Sequence, residues 1–110
     1  MSETLIIGQY SKLIKIVANR QIRQVDIGQN TYCLIRIEHN FFLTERRCPH
    51  MDQNLVEGAI NFDGQIICPW HSYAFSLPKG QEAEHRCRNL KSVQLTLVDD
   101  NLVVDLVSLF

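Results

Sequence analysis

The chain has 110 residues, of which 45% are hydrophobic and 21% are charged, and its formal net charge is −1. This length suits one domain over residues 1–110 and leaves no room for a second, catalytic module. The balanced charge gives no sign of nucleic-acid binding, and no apolar run is long enough for a membrane-spanning helix. Residues 1–8 lack the basic and then apolar segments of a secretion signal, so we expect a cytoplasmic protein.

The first half of the chain reads as short β-strands separated by turns. The hydrophobic pattern predicts strands over residues 13–17, 22–27, 31–37 and 41–44. In the third of these, odd-numbered apolar residues alternate with Leu34 and Arg36, which predicts a sheet with one buried face. His39 is expected to be a solvated residue of the tight turn that follows.

The second half continues in the same way. Asp63-Gly64 is a strong hairpin signal, and Ile66 and Ile67 lead from it directly into Cys68. Further strands are predicted over residues 73–77, 93–97 and 102–106, the last two forming a terminal hairpin. Residues 81–88 are polar and irregular and are expected to form a solvated loop. No long helix is predicted.

Two short motifs carry the candidate chemistry: Cys48-Pro49-His50 and Cys68-Pro69-Trp70-His71. A single cysteine is usually a small buried side chain and a lone histidine usually a satisfied one, but the paired spacing C-x-H-x17-C-x-x-H is typical of a metal site. Two thiolates and two imidazoles suit either zinc or an iron–sulfur cluster. The alternating order differs from zinc fingers, which place two cysteines and then two histidines in close pairs.

These motifs, together with Leu55-x-x-Gly58 and Phe75-x-Leu77-x-x-Gly80, resemble those of Rieske-type [2Fe–2S] proteins, over about residues 13–106. The resemblance implies an all-β, antiparallel sandwich of short strands with a cluster-binding subdomain made of two ligand loops. It also implies one [2Fe–2S] cluster per chain, with Cys48 and Cys68 on one iron and His50 and His71 on the other.

The sequence departs from the respiratory members of that family at several positions. Gln53 and Trp70 stand where those proteins place a disulfide between the loops, so the loops must be held by packing, for which Trp70 is a candidate. Tyr73 and Phe75 replace residues whose hydroxyls face cluster sulfurs, which favours a potential near the lower end of the family range of about −150 to +300 mV. Tyr73 is expected to fill space rather than to reach a sulfur. Ser72 stands where glycine is common, and a positive φ there would cost about 1 kcal/mol.

The remaining cysteines are expected to be free thiols, because the cytoplasm is reducing. Cys33 is predicted to lie in the core and Cys87 to be exposed. The arginines near the motifs are expected to be solvated, with contact to an acidic redox partner as the alternative reading: Arg46, Arg47, Arg86 and Arg88.

The resemblance implies an electron carrier, the ferredoxin component that links an NAD(P)H-dependent flavoprotein reductase to a terminal oxygenase. No catalysis of its own is expected, since the sequence has no nucleophilic triad, phosphate loop or open metal triad. A monomer or weak oligomer is expected. Two alternatives remain: the small Rieske-like subunit of an assimilatory nitrite reductase, and a structural zinc module that uses the same four residues.

Overall fold

A computed structural model describes residues 3–50 and 52–108, and among these residues ten β-strands form three antiparallel sheets. In chain order the elements are β1 (Thr4–Gln9), α1 (Tyr10–Ile16), β2 (Ile22–Ile27), β3 (Asn30–Ile37), β4 (Asn40–Glu45), the 3-10 helix η1 (Leu55–Glu57), β5 (Ala59–Ile60), β6 (Gln65–Ile67), β7 (Ala74–Ser76), β8 (Ser92–Gln94), β9 (Thr96–Val98), β10 (Asn101–Asp105) and the 3-10 helix η2 (Leu106–Ser108). The predicted all-β class is confirmed.

The sheet β2-β3-β4-β8 forms the middle layer of the fold. The sheet β5-β6-β7 contributes to a buried cluster on one of its faces, with Cys33, Ile35, Phe42, Leu55, Ile66, Phe75 and Leu90. The sheet β1-β10-β9 contributes to a second cluster on the other face, with Tyr32, Leu34, Phe41, Leu43, Leu95, Leu102 and Val104. Burial of these two apolar clusters is the main source of stability that the fold offers.

The prediction that the β3 sheet has one buried face was therefore wrong. Cys33 and Ile35 point into the first cluster, whereas Tyr32 and Leu34 point into the second, and all four are at least 95% buried. A strand between two layers needs apolar residues on both faces, so the alternation expected of a half-exposed strand is lost. In the sequence, the uninterrupted apolar run Tyr32-Cys33-Leu34-Ile35 indicates a strand that is buried on both faces.

Residues 13–17 form the end of a helix and the residue after it, not the predicted strand. Tyr10, Leu13 and Val17 pack against the second buried cluster, and their spacing of three and four residues places them on one helical face. Ile16 lies off that face and is 56% exposed. Within the described part of the chain, no helix combines the length and apolar composition needed to cross a membrane.

The predicted strand over residues 93–97 is two strands in different sheets. β8 pairs with β4 in the middle sheet, and β9 pairs with β10 in the sheet that also holds the unpredicted strand β1. Leu95 lies at the crossing, where it is buried and its N–H donates to the Phe41 carbonyl at 2.8 Å. Because the alternation continues on both sides of Leu95, periodicity alone could not reveal the change of sheet.

The sheet β5-β6-β7 supports the candidate site. β5 and β6 form the hairpin predicted at Asp63-Gly64, where Gly64 has a φ of +76°. β6 ends at Ile67, immediately before Cys68, and β7 returns antiparallel to it. Both ends of this loop are therefore fixed by strand pairing, as the sequence predicted.

Candidate metal centre

Two loops converge beside the sheet β5-β6-β7. Residues 46–54 join β4 to η1, and residues 68–73 join β6 to β7. Together they carry the four predicted donors, Cys48, His50, Cys68 and His71. The structure thus brings together side chains that lie up to 23 positions apart in the sequence.

Backbone hydrogen bonds close each loop behind its cysteine. The Cys48 N–H donates to the Gln53 carbonyl at 2.8 Å, and the Cys68 N–H donates to the Tyr73 carbonyl at the same distance. Each loop is tied at its base and leaves its histidine beyond the tie. This geometry places a sulfur inside and an imidazole outside in both loops.

The two sulfurs lie together in the interior. Cys48 is 2% exposed and Cys68 is 1% exposed, and their side chains are within hydrogen-bonding reach of each other. Burial raises the pKa of the Cys68 thiol to about 11. A hydrogen bond from the Trp70 N–H favours the thiolate and lowers this pKa, but its effect is smaller than that of burial. A buried thiol pair of this kind needs a bound cation before both sulfurs can be thiolates.

The two imidazoles lie nearer the surface, with ring centroids 5.6 Å apart and planes at 77°. The Nδ1 atom of His50 is buried and has no hydrogen-bond partner among the described residues. His71 is exposed and has a φ of +64°, and Ser72 after it has a φ of +55°. The expected strain at Ser72 is confirmed, and two left-handed residues in succession turn the chain sharply at the tip of the second loop.

The loops contact each other through Tyr73 rather than Trp70. The Tyr73 ring stacks on His50 at 3.6 Å between centroids with planes 8° apart. That Tyr73 fills space rather than reaching a cluster sulfur stays a prediction. Trp70 is 49% exposed and lies against His71 at 5.4 Å, so it does not clamp the two loops as expected. Trp70 lies at the tip of its loop, beyond the hydrogen bond between the Cys68 N–H and the Tyr73 carbonyl, and its side chain faces outward.

The expectation of a solvated loop over residues 81–88 was wrong for Glu82, which is 1% exposed. Arg86 pairs with it at 2.9 Å, and hydrogen bonds from Arg86 lower the pKa of Glu82 to about 2. Arg88 pairs with Glu45 at 2.7 Å and is about half exposed. Residues 82–86 are not helical, so the spacing of four residues between Glu82 and Arg86 gave no sequence signal for this pair.

The arginines just before Cys48 are less firmly held by ion pairs than Arg86 and Arg88. Arg47 lies 3.4 Å from Asp52, and both side chains are largely exposed. Such a pair contributes little to stability. Contact of Arg46, Arg47 or Arg88 with an acidic partner stays a prediction.

The remaining two cysteines differ from each other. Cys33 is fully buried, as predicted, and burial raises the pKa of its thiol to about 11. Cys87, predicted to be exposed, is half-buried and packs against the cluster of buried residues that contains Cys48 and Cys68. Neither Cys33 nor Cys87 forms a disulfide in the described part of the chain, in agreement with the sequence.

The donors form two pairs rather than one group. Over residues 3–50 and 52–108, no three His, Cys, Asp or Glu side chains gather closely enough to hold a single metal ion. A binuclear cluster that takes two cysteines on one iron and two histidines on the other needs separate sulfur and imidazole pairs.

Comparison with known proteins supports the same chemistry. The family model described as the Rieske [2Fe-2S] domain matches residues 9–100. The ferredoxin component of the alkene monooxygenase system of Xanthobacter autotrophicus is 38% identical over 56 residues, which are 51% of this chain and 46% of that protein. Matches to apoptosis-inducing factor 3 of Mus musculus and Homo sapiens cover 11% of those proteins, so the chain spans less than half of these curated relatives.

Solved structures match over nearly the full length. A chain in the complex of reduced oxygenase and oxidized ferredoxin in carbazole 1,9a-dioxygenase is 26% identical, with a TM-score of 0.73 over 93% of this chain and 92% of that one. The ferredoxin of Sphingomonas yanoikuyae B1 has a TM-score of 0.75 over 94% and 98%, and at 20% identity it shows the fold alone.

The residues present fit a [2Fe–2S] cluster. One iron would take two thiolates, and Cys48 and Cys68 are adjacent and buried. The other iron would take two imidazole nitrogens, and the buried Nδ1 of His50 has no hydrogen-bond partner among the described residues and is therefore available as a ligand. The donor set, its burial and its division into pairs all agree with that cofactor.

Proposed function

Because this chain belongs to the Rieske [2Fe-2S] domain family, we propose that it is a one-electron carrier. Cys48 and Cys68 would hold one iron of a single cluster, and His50 and His71 would hold the other. The bound cluster supplies the chemistry, since it takes up and gives back one electron with little change in geometry. The observation that carries the proposal is the convergence of a buried sulfur pair with an imidazole pair that includes an orphaned Nδ1.

The protein shields the cysteine side of the centre from water and leaves the His71 side accessible to a partner. Cys48 and Cys68 lie among apolar residues that exclude water, including the fully buried Leu55 and Phe75. His71 is exposed at the tip of the second loop beside the half-exposed Trp70. The His71 side is therefore where a redox partner would come nearest to the bound cluster.

The proposed partners are an NAD(P)H-dependent flavoprotein reductase as donor and a terminal oxygenase as acceptor. The similarity to the alkene monooxygenase ferredoxin and to the chain of the carbazole dioxygenase complex supports this choice. Neighbours named as nitrite reductase small subunits are 18% and 12% identical, and at that level they support the fold alone. Such exchange uses small, transient interfaces, which suits a monomeric carrier in the cytoplasm.

A low potential is part of the proposal. Phe75 is fully buried beside the cysteines and offers no hydroxyl, and the Tyr73 ring is engaged with His50. Without hydroxyl donors to the sulfurs, the extra electron of the reduced state is less stabilised. We place the potential near the lower end of the family range of about −150 to +300 mV.

An electron-transfer assay tests the proposal. The purified holoprotein is mixed with NADH and the flavoprotein reductase of a Rieske oxygenase system, and cytochrome c serves as the final acceptor. Cytochrome c reduction should require this protein. The variant His71→Ala should abolish the reaction, whereas His39→Ala, at an exposed turn remote from the loops, should not. Equal rates with and without the protein, or equal activity of both variants, would contradict the role assigned to it.

A further inference from the structure

Beside the candidate centre lies a buried negative charge that the electron-carrier role does not require. Glu82 is 1% exposed, and it forms a β-bridge with Phe75, the middle residue of β7. The neighbouring Ala83 N–H donates to the Ala74 carbonyl at 2.9 Å. The backbone of Glu82 is therefore fixed against the strand that leaves the second ligand loop, and its carboxylate has one defined position.

Arg86 is held by that carboxylate through three contacts. Its backbone N–H donates to Oε1 of Glu82 at 2.8 Å, its Nε donates to the same oxygen at 3.1 Å, and its Nη2 donates to Oε2 at 2.9 Å. Nη1 also lies 3.1 Å from the exposed Glu84. A guanidinium bound in this forked way has a fixed plane, which a lysine ammonium would not provide.

The guanidinium lies on the Tyr73 ring, with its central carbon 3.6 Å from the ring centroid. The His50 imidazole lies parallel to the same ring, also 3.6 Å from its centroid. Two planar groups at this distance cannot share one face of a ring, so Tyr73 is enclosed between them. The result is a continuous stack of Arg86, Tyr73 and His50, anchored at one end by the buried Glu82.

The stack ends on the imidazole whose Nδ1 is buried without a hydrogen-bond partner among the described residues. Among the described residues no hydrogen bond to that nitrogen orients the ring, so its plane depends on its ring contacts, of which the parallel contact with Tyr73 at 3.6 Å is closer than the edge contact with His71 at 5.6 Å. The direction in which Nδ1 points follows from that plane. The positive charge of Arg86, at the other end of the stack, also stabilises the reduced state of the centre, because that state carries one more negative charge than the oxidised state.

We propose that Arg86 is a positioning residue for His50, acting through Tyr73 and held in place by Glu82. The inference rests on the proposed function, because it takes His50 as an iron ligand. Arg86 sets the orientation of the imidazole and, through its charge, raises the potential. The loop over residues 81–88 is thus part of the centre, although none of its residues supplies a ligand.

The test compares Arg86→Gln with Arg88→Gln in the holoprotein. Arg88 is the matched control, because it lies in the same loop, bears the same charge and pairs with Glu45 instead of stacking on Tyr73. Two properties are measured: the midpoint potential, and the histidine nitrogen couplings in pulsed EPR of the reduced protein. Retention of the wild-type iron content establishes that each variant still holds its cluster.

Arg86→Gln should change the nitrogen couplings and weaken the preference for the reduced state about threefold to tenfold, where tenfold is about 59 mV for one electron. Tyr73→Leu, which removes the ring itself, should change the couplings in the same way. Arg88→Gln should leave the couplings unchanged. If Arg86→Gln fails to fold, Arg86→Lys keeps the charge but not the planar fork, and should change the couplings with a smaller shift in potential.

Unchanged nitrogen couplings in Arg86→Gln and Tyr73→Leu would overturn the positioning role, and an unchanged potential in Arg86→Gln would overturn the effect of its charge. A wild-type protein without nitrogen couplings would instead refute the proposed function. The two failures are therefore distinguishable in one set of spectra.

Discussion

Gly58 offers a direct test of how the scaffold holds the two ligand loops. It follows η1, and its N–H donates to the Leu55 carbonyl at 2.9 Å. A Cβ at this position would lie 3.2 Å from the Leu55 oxygen and 3.3 Å from the Ile67 carbonyl carbon, and closer than 3.0 Å to the Ile67 oxygen. Ile67 is the last residue of β6 and immediately precedes Cys68.

The clash in Gly58→Ala is with backbone on both sides, so no side chain can swing away to relieve it. Ile67 pairs with both Ala59 and Ala74, and the end of β6 would have to shift as a unit. Overpacking of this kind costs about 1 to 3 kcal/mol, and backbone contacts belong at the upper end. A shift of β6 also moves Cys68 away from Cys48, so the variant should hold less cluster.

Denaturant unfolding and the iron and sulfide content per folded chain measure the two effects. Gly28→Ala is the control, since Gly28, in the β2–β3 turn, has a φ of +64° but a Cβ added there would meet no described atom within 4 Å. It should cost about 1 kcal/mol from backbone strain and leave the iron content unchanged. A Gly58→Ala protein with wild-type stability and iron content would refute this account of the scaffold.

Other predictions follow from the individual side chains. His50→Cys and His71→Cys, where a cluster still assembles, should lower the midpoint potential in redox titrations, because thiolate replaces neutral imidazole; an unchanged or raised potential would count against these ligands. Phe75→Tyr should raise the potential if its hydroxyl reaches a sulfur, and no shift would show that the missing hydroxyl does not set the low value. Because Cys33 is fully buried and burial raises its pKa to about 11, it should resist alkylation at about pH 8 in the folded protein, while the half-buried Cys87 reacts; equal labelling by mass spectrometry would contradict this.

The ligand motifs and the strands beside them were predictable because their signals are local. The spacing of Cys48, His50, Cys68 and His71 is specific, and Asp63-Gly64 identifies the hairpin that leads into the second loop. The family position of Ser72, where glycine is common, raised the question of a positive φ, which the structure answers with a φ of +55°. Each of these features depends on residues close together in the chain.

The features that were mispredicted depend on tertiary packing. Residues 13–17 by themselves fit a short strand, and the helical spacing is complete only when Tyr10 is included. Glu82 looked like one charge among many in a polar loop, and only the fold places Phe75 and Tyr73 where they enclose it and Arg86. Trp70 looked like a clamp because of its size, whereas the tip geometry of its loop turns it outward.

The central claim is that these four side chains bind a two-iron cluster through a sulfur pair and an imidazole pair. EPR of the dithionite-reduced protein, combined with metal and sulfide analysis, tests it most directly. We expect about two iron atoms and two sulfides per chain and one unpaired electron coupled to two distinct histidine nitrogens, with both couplings changing when the histidines carry the heavy nitrogen isotope. A colourless protein that contains one zinc ion and gives no EPR signal after reduction would contradict the claim.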